Sequence, residues 1–152
     1  MSDSLHHTPV GGGDCIQVLG DRVTFLGAVE RPDLVMAEVA VPPGAGTPLH
    51  RHASPELFRI LAGSLAFSTL DGHGRVRRIV AAAGDAVSIP AGAAHGYHND
   101  GAAPATMLAV FDSSLERFFR AVAAATPTDM ARVISIAQAH GIDVIEAPAA
   151  VA

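Results

Sequence analysis

Read for hydrophobic period, the chain changes character at Ser113. Before that point apolar and polar residues alternate in short runs: Ile16 to Leu19, Arg22 to Val29, Leu34 to Val41, Pro55 to Leu61, Leu65 to Leu70, Arg75 to Val80, Ala86 to Ile89, His95 to His98 and Ala105 to Phe111. A period of two is the mark of a strand with one face buried. Glycine and proline punctuate the runs and supply the turns between them. Asp71-Gly72 followed by His73-Gly74 predicts a hairpin. Short strands at regular spacing predict an all-β sandwich or barrel over residues 15–112. Residues 1–14, with Gly11-Gly12-Gly13, show no period and read as a flexible N-terminal arm that orders only against a partner.

After Ser113 the period lengthens to that of a helix. Ser113-Ser114-Leu115-Glu116 has the form of a capping box, in which a serine hydroxyl and a glutamate three residues on satisfy free amides at a helix start. Leu115, Phe118, Phe119 and Val122 follow as an apolar stripe. Thr126-Pro127-Thr128-Asp129 predicts the cap of a second helix, with Pro127 at its first position. Met130, Val133, Ile134 and Ala137 form its stripe, and Gly141 its stop. Residues 113–152 are thus expected to be a C-terminal helical extension, with Ile142 to Ile145 adding an edge strand. Its simplest use is packing against the outer sheet or a partner; the alternative places Phe118 and Phe119 as a lid over a pocket.

Composition narrows the class. A chain of 152 residues, 49% hydrophobic, fits one domain with a real core. A net charge of −5, with no lysine and scattered arginines, argues against a nucleic-acid surface. No charged-then-apolar leader and no run of about 18 apolar residues is present, so the expectation is a cytoplasmic protein without a membrane partner. The single cysteine, Cys15, reads as a small buried hydrophobe. The arm, the strands before Leu34 and the two amphipathic helices are more apolar surface than one barrel needs, which predicts a homodimer.

The candidate chemistry lies in two blocks. The first runs from Gly44 to Gly63 and contains His50, His52 and Glu56; the second runs from Gly84 to Asn99 and contains His95. His50 and His52 are two apart, so on a strand both project from one face. Glu56 lies a further even step along, after a bend at Ser54-Pro55, and His95 arrives from another strand. A barrel can aim all four at one ion. Imidazole nitrogen with carboxylate oxygen suits a divalent transition metal (iron, manganese, nickel, copper or zinc) and suits magnesium or calcium poorly. His6, His7, His73, His98 and His140 read as surface or packing residues.

These blocks resemble the two motifs of the cupin superfamily, RmlC-like barrels. The matching positions are Gly44, His50, His52, Glu56 and Gly63 in the first, and Gly84, Pro90, Gly92, His95 and Asn99 in the second. The resemblance covers roughly Leu34 to Asp112 and implies a double-stranded β-helix barrel with metal held by His50, His52, Glu56 and His95. One motif pair is present, so one cupin unit is expected.

Fold and metal do not fix the reaction, so the pocket must. Alternation sets His50, His52, Glu56, Phe58, Ile60, His95 and Tyr97 inward, and Leu57, Arg59 and Gly96 outward. Apart from the ligands, that wall is apolar and suits a flat, aromatic or enolic small-molecule substrate. Together with Leu115-Glu-Arg-Phe-Phe-Arg120, this is similar to the small flavonol (quercetin-type) dioxygenases. The similarity implies a metal-dependent dioxygenase. Glu56 would then be ligand and general base, its proton affinity raised by the apolar surroundings, and Tyr97 a hydrogen-bond donor to a substrate oxygen at the metal. The alternatives are a metal-binding cupin that serves as a small-molecule binding module, and a sugar isomerase or epimerase.

Overall fold

The computed structural model describes residues 4–145. Along the chain run β1 (Asp14–Val18), β2 (Asp21–Glu30), β3 (Asp33–Val41), β4 (His50–Arg51), β5 (Glu56–Ala62), β6 (Ser64–Leu70), β7 (Val76–Ala82), β8 (Ala86–Ile89), β9 (His95–His98) and β10 (Ala105–Phe111). Helices α1 (Ser113–Ala125) and α2 (Met130–Ala139) and a last strand, β11 (Asp143–Val144), follow. The strands form two antiparallel sheets, ordered β1-β2-β3-β10-β5-β8 and β11-β4-β9-β6-β7. This is the all-β barrel with two C-terminal helices that the alternation predicts.

Period two explains which side chains fill it. In β3 the residues Val35, Ala37, Val39 and Val41 are buried while their neighbours are exposed or half-buried, and β10 repeats the pattern. Phe58 from one sheet meets Phe67 and Tyr97 from the other at ring-centroid distances of 5.7 and 6.5 Å, so aromatic contacts join the sheets across the core. The β6–β7 hairpin turns where expected, with Asp71 Oδ1 accepting from the amides of His73 and Arg75.

The helix starts differ from the expectation, by one residue at α1 and by three at α2. Asp112, not Ser113, caps α1: its carboxylate accepts from the amide of Ser114, while Ser113 bonds Asp33 across the turn. Asp129, not Thr126, caps α2, and Thr126 instead ends α1 in the left-handed conformation. Pro127 therefore lies in the link and not in a helix. The buried face of α2 is Val133, Ile136 and Ala137; Ile134 is half-buried and Met130 half exposed. Arg120 of α1 pairs with Asp14 and lies 4.3 Å over the Phe25 ring, which fastens the helix to β1 and β2. Of residues 1–14, the first three lie outside the described residues; Thr8 Oγ1 donates to the Leu26 carbonyl at 2.6 Å, and Asp14 already belongs to β1. Of residues 113–152, those after 145 lie outside the description.

Candidate metal centre

Backbone pairing places the four candidate ligands before any side chain is considered. β4 pairs with β9 at His50 and His95, so the two imidazoles stand side by side. Their neighbour Gly96 is required there: a Cβ would lie 2.9 Å from the Pro48 carbonyl oxygen. His52 follows β4 directly, its carbonyl accepting from the Gly92 amide at 2.8 Å, and Glu56 opens β5. Asn99 completes the frame. It is buried, donates through Nδ2 to the carbonyls of Val41 and Ala103, and accepts from the Gly101 amide. Its place in the second motif is thus architectural.

The result is a tight cluster. One ligand atom from each of His50, His52, Glu56 and His95 lies within 4.8 Å of all the others. Ring centroids of His50 and His95 are 4.3 Å apart and those of His52 and His95 4.9 Å. His52, Glu56 and His95 are buried, and His50 is half-buried. His50 Nδ1 donates to the Pro48 carbonyl and His95 Nδ1 to the Ala93 carbonyl, each at 2.8 Å. Those bonds fix the tautomer and leave each Nε2 with its lone pair free. His95 Nε2 then lies 2.8 Å from Glu56 Oε2, and His52 Nε2 lies 3.3 Å from the same oxygen. A neutral imidazole lone pair and a carboxylate oxygen that close need a cation between them, either a proton or a metal ion. The Nδ1 of His52 is buried with no hydrogen-bond partner among the described residues. The donor set therefore fits a transition metal.

Protonation favours the same use. Burial, then the neighbouring His95, lowers His50 to about 4, so it is neutral at pH 7. Burial alone would raise Glu56, but the adjoining His52 and His95 outweigh it and hold the carboxyl at about 2. The expected rise in Glu56 proton affinity is therefore overturned: its histidine neighbours, and not its apolar surroundings, decide. Glu56 is a carboxylate ready to ligate and a poor base.

The four side chains line a cavity of about 70 Å³. Its other walls include Val39, Phe58, Met107 and Phe111 of the sheets and Phe118 and Phe119 of α1, so the helices close the barrel as well as packing on it. Ile60, expected on this wall, is buried in the core two residues further along β5 and does not reach the cavity. No arginine lines it, and Arg51 and Arg59 are exposed. Tyr97 does line it, yet its hydroxyl donates to Asp21 Oδ2, so its one proton is committed away from the metal cluster. Asp21 is the residue the sequence reading missed. It is 3% exposed and on the cavity wall, and burial raises its carboxyl to about 6 against the Tyr97 hydrogen bond that lowers it. The alternation Asp21, Val23, Phe25 was the available signal. Cys15 is exposed, not buried, and accepts from Arg22 Nε at 3.3 Å.

A family model for the cupin domain matches residues 37–111. The barrel is a cupin domain. Solved structures agree in fold. An oxalate oxidase is 28% identical with a TM-score of 0.53, over 62% of this chain and 51% of that one. A cupin-superfamily sugar phosphate isomerase from Silicibacter pomeroyi is 27% identical with a TM-score of 0.50, over 61% of this chain and 59% of that one. An RmlC-like cupin from Shewanella frigidimarina is 18% identical with a TM-score of 0.60, over 74% of this chain and 94% of that one, a likeness of fold alone. This cupin spans about half the length of the oxalate oxidase it matches. No curated protein matches it closely enough to count as a relative. No helix among the described residues is long and apolar enough to cross a membrane.

Proposed function

We propose that this cupin holds one divalent transition metal through His50, His52, Glu56 and His95 and acts as a dioxygenase on a small enolic or single-ring aromatic substrate. One observation carries the reading: the ligand cluster forms part of the wall of a cavity that is otherwise almost wholly apolar. A bound ion of this kind supplies a positive charge that makes a substrate hydroxyl more acidic, and open coordination positions where substrate and dioxygen can meet.

The chain's own residues do the rest. The carbonyls of Pro48 and Ala93 hold His50 and His95 in the ligating tautomer. Glu56 contributes negative charge, which offsets part of the ion's charge in a buried site. Phe58, Phe111, Phe118 and Phe119 exclude water and present flat apolar faces to a ring. Size refines the substrate. About 70 Å³ is well below the roughly 300 Å³ at which pockets for drug-sized ligands begin. A single ring or a short enol fits this scale, whereas a three-ring flavonol requires α1 and α2 to move outward.

Two features of the lining weigh against a sugar phosphate. Such a substrate needs cationic partners beyond the one ion, and the cavity has no arginine while Glu56 and Asp21 already stand in its wall. The binding-module alternative shares the metal cluster and differs in chemistry. Dioxygen uptake separates the two: protein loaded in turn with iron, manganese, nickel, copper or zinc is given catechol, acetylacetone, a flavonol or oxalate. Uptake with catechol or acetylacetone supports the dioxygenase. No uptake with any pair, although these compounds bind, makes the protein a binding module.

A further inference from the structure

Asp21 breaks a rule that the rest of the core obeys. It sits at an inward position of β2, in phase with buried Val23 and Phe25, where an apolar side chain would serve packing better. Its Oδ2 accepts from the Tyr97 hydroxyl, but its Oδ1 is buried with no hydrogen-bond partner among the described residues. Orphaned acceptors of this kind are uncommon in folded proteins and each calls for an explanation. Asp21 lines the same cavity as the metal cluster, yet it comes from the six-stranded sheet, whereas His50 and His95 come from the other.

We propose that Asp21 is the second polar anchor of this cavity, its Oδ1 accepting a hydrogen bond from a hydroxyl that the substrate carries remote from its metal-binding oxygen. This rests on the reading above of a small ring or enol bound at the metal. The Tyr97 bond holds the carboxylate in one orientation; Oδ1 itself is almost wholly covered, so a hydroxyl reaches it only as the neighbouring cavity wall gives way, and the acceptor it then meets is already oriented. One vacant acceptor matches one donor. An ammonium group would bring further N–H groups that the apolar walls cannot satisfy, at a much larger desolvation cost than a hydroxyl. Asp21 is thus a specificity residue: it selects among rings that the metal and the apolar walls would treat alike.

The test uses the full chain loaded with zinc, so that nothing turns over, and two ligands that share the metal-binding group: 4-methylcatechol and 4-(hydroxymethyl)catechol. Calorimetric titration should show that the parent favours the hydroxymethyl compound, and that Asp21→Ala reduces the ratio of the two affinities about tenfold or more, as expected for a hydrogen bond to a charged acceptor. Should the alanine variant not fold, Asp21→Asn keeps the shape and the Tyr97 partner and replaces the charged acceptor with a neutral amide. Its ratio should then fall by at least about threefold. An unchanged ratio in a folded variant overturns the anchor and leaves the dioxygenase reading in place. In parallel, benzyl alcohol and toluene are titrated into metal-free protein. A preference for the alcohol that falls with the substitution supports the anchor even where neither catechol binds, a result that would count against the metal-bound substrate alone. No change in that ratio overturns the anchor independently of the metal.

Discussion

Asp21 and Glu56 are both buried carboxylates, and their surroundings drive them in opposite directions. Glu56 has two histidine neighbours and is held at about 2; Asp21 has only a tyrosine hydroxyl and is raised by burial to about 6. For Asp21 the folded value exceeds the ordinary 3.8, so its contribution to stability is present below about pH 4 and is lost as pH rises through 6. That interval corresponds to about 3 kcal/mol. Asp21→Asn, which carries no charge at any pH, is therefore expected to be more stable than the parent at pH 8 by up to about 3 kcal/mol, with the difference vanishing near pH 4. Urea denaturation at the two pH values measures it, and a parent more stable than the variant at pH 8 would contradict the assignment. Glu56→Gln tests a different role. With its charge gone but three imidazoles in place, dioxygen uptake should fall about 10- to 100-fold at saturating metal while bound metal falls less; equal rates would remove Glu56 from the chemistry. The motif histidines and Glu56 were legible in sequence because spacing and residue type coincide. Asp21 was not, because a lone acid beside a turn looks like a solvated cap until Val23 and Phe25 set its phase.

At the level of elements, geometry comes from close backbone approach. Gly96 lets β9 pass the Thr47-Pro48 segment, and Pro48 in turn orients His50. Gly96→Ala should push β9 away and misplace His50 and His95 together, lowering bound metal several-fold while leaving the strand content of the circular dichroism spectrum unchanged. Full metal retention would show that the approach is slack. Strands such as β3 and β10 were legible because a period of two survives in them, with ends that shift by one residue at most; β6 and β7 do not keep that period, and their turn residues marked them instead. Helix starts were less so: Ser113 fits the cap pattern, but Asp112 beside it is the acceptor and Ser113 is occupied by Asp33. The period of α2 suited Ile134 or Ile136 equally, and only the packed helix selects Ile136.

The whole molecule is a barrel closed by its own C-terminal helices. Phe118 is 8% exposed and lines the cavity, so Phe118→Ala should cost about 3 kcal/mol or more and widen the range of ligands toward flavonols. Thermal melts and the same titrations would read both effects. On the outer face of the six-stranded sheet, Met36, Val110 and Leu57 pair in a row across β3, β10 and β5, with Met36 43% and Leu57 55% exposed. We propose that a second copy covers this row. Light scattering at micromolar concentration should give a dimer that Leu57→Asp dissociates, and a monomeric parent would refute it. The proposed chemistry depends on His50, His52, Glu56 and His95 holding a metal ion. Elemental analysis of the untagged chain, purified without added metal beside His50→Ala, His52→Ala and His95→Ala, tests it most directly. A transition metal approaching one per chain is expected in the parent and well under half of the parent's content in each variant; full retention of metal in all three variants, or no metal taken up by the parent even when supplied, would contradict the metal site.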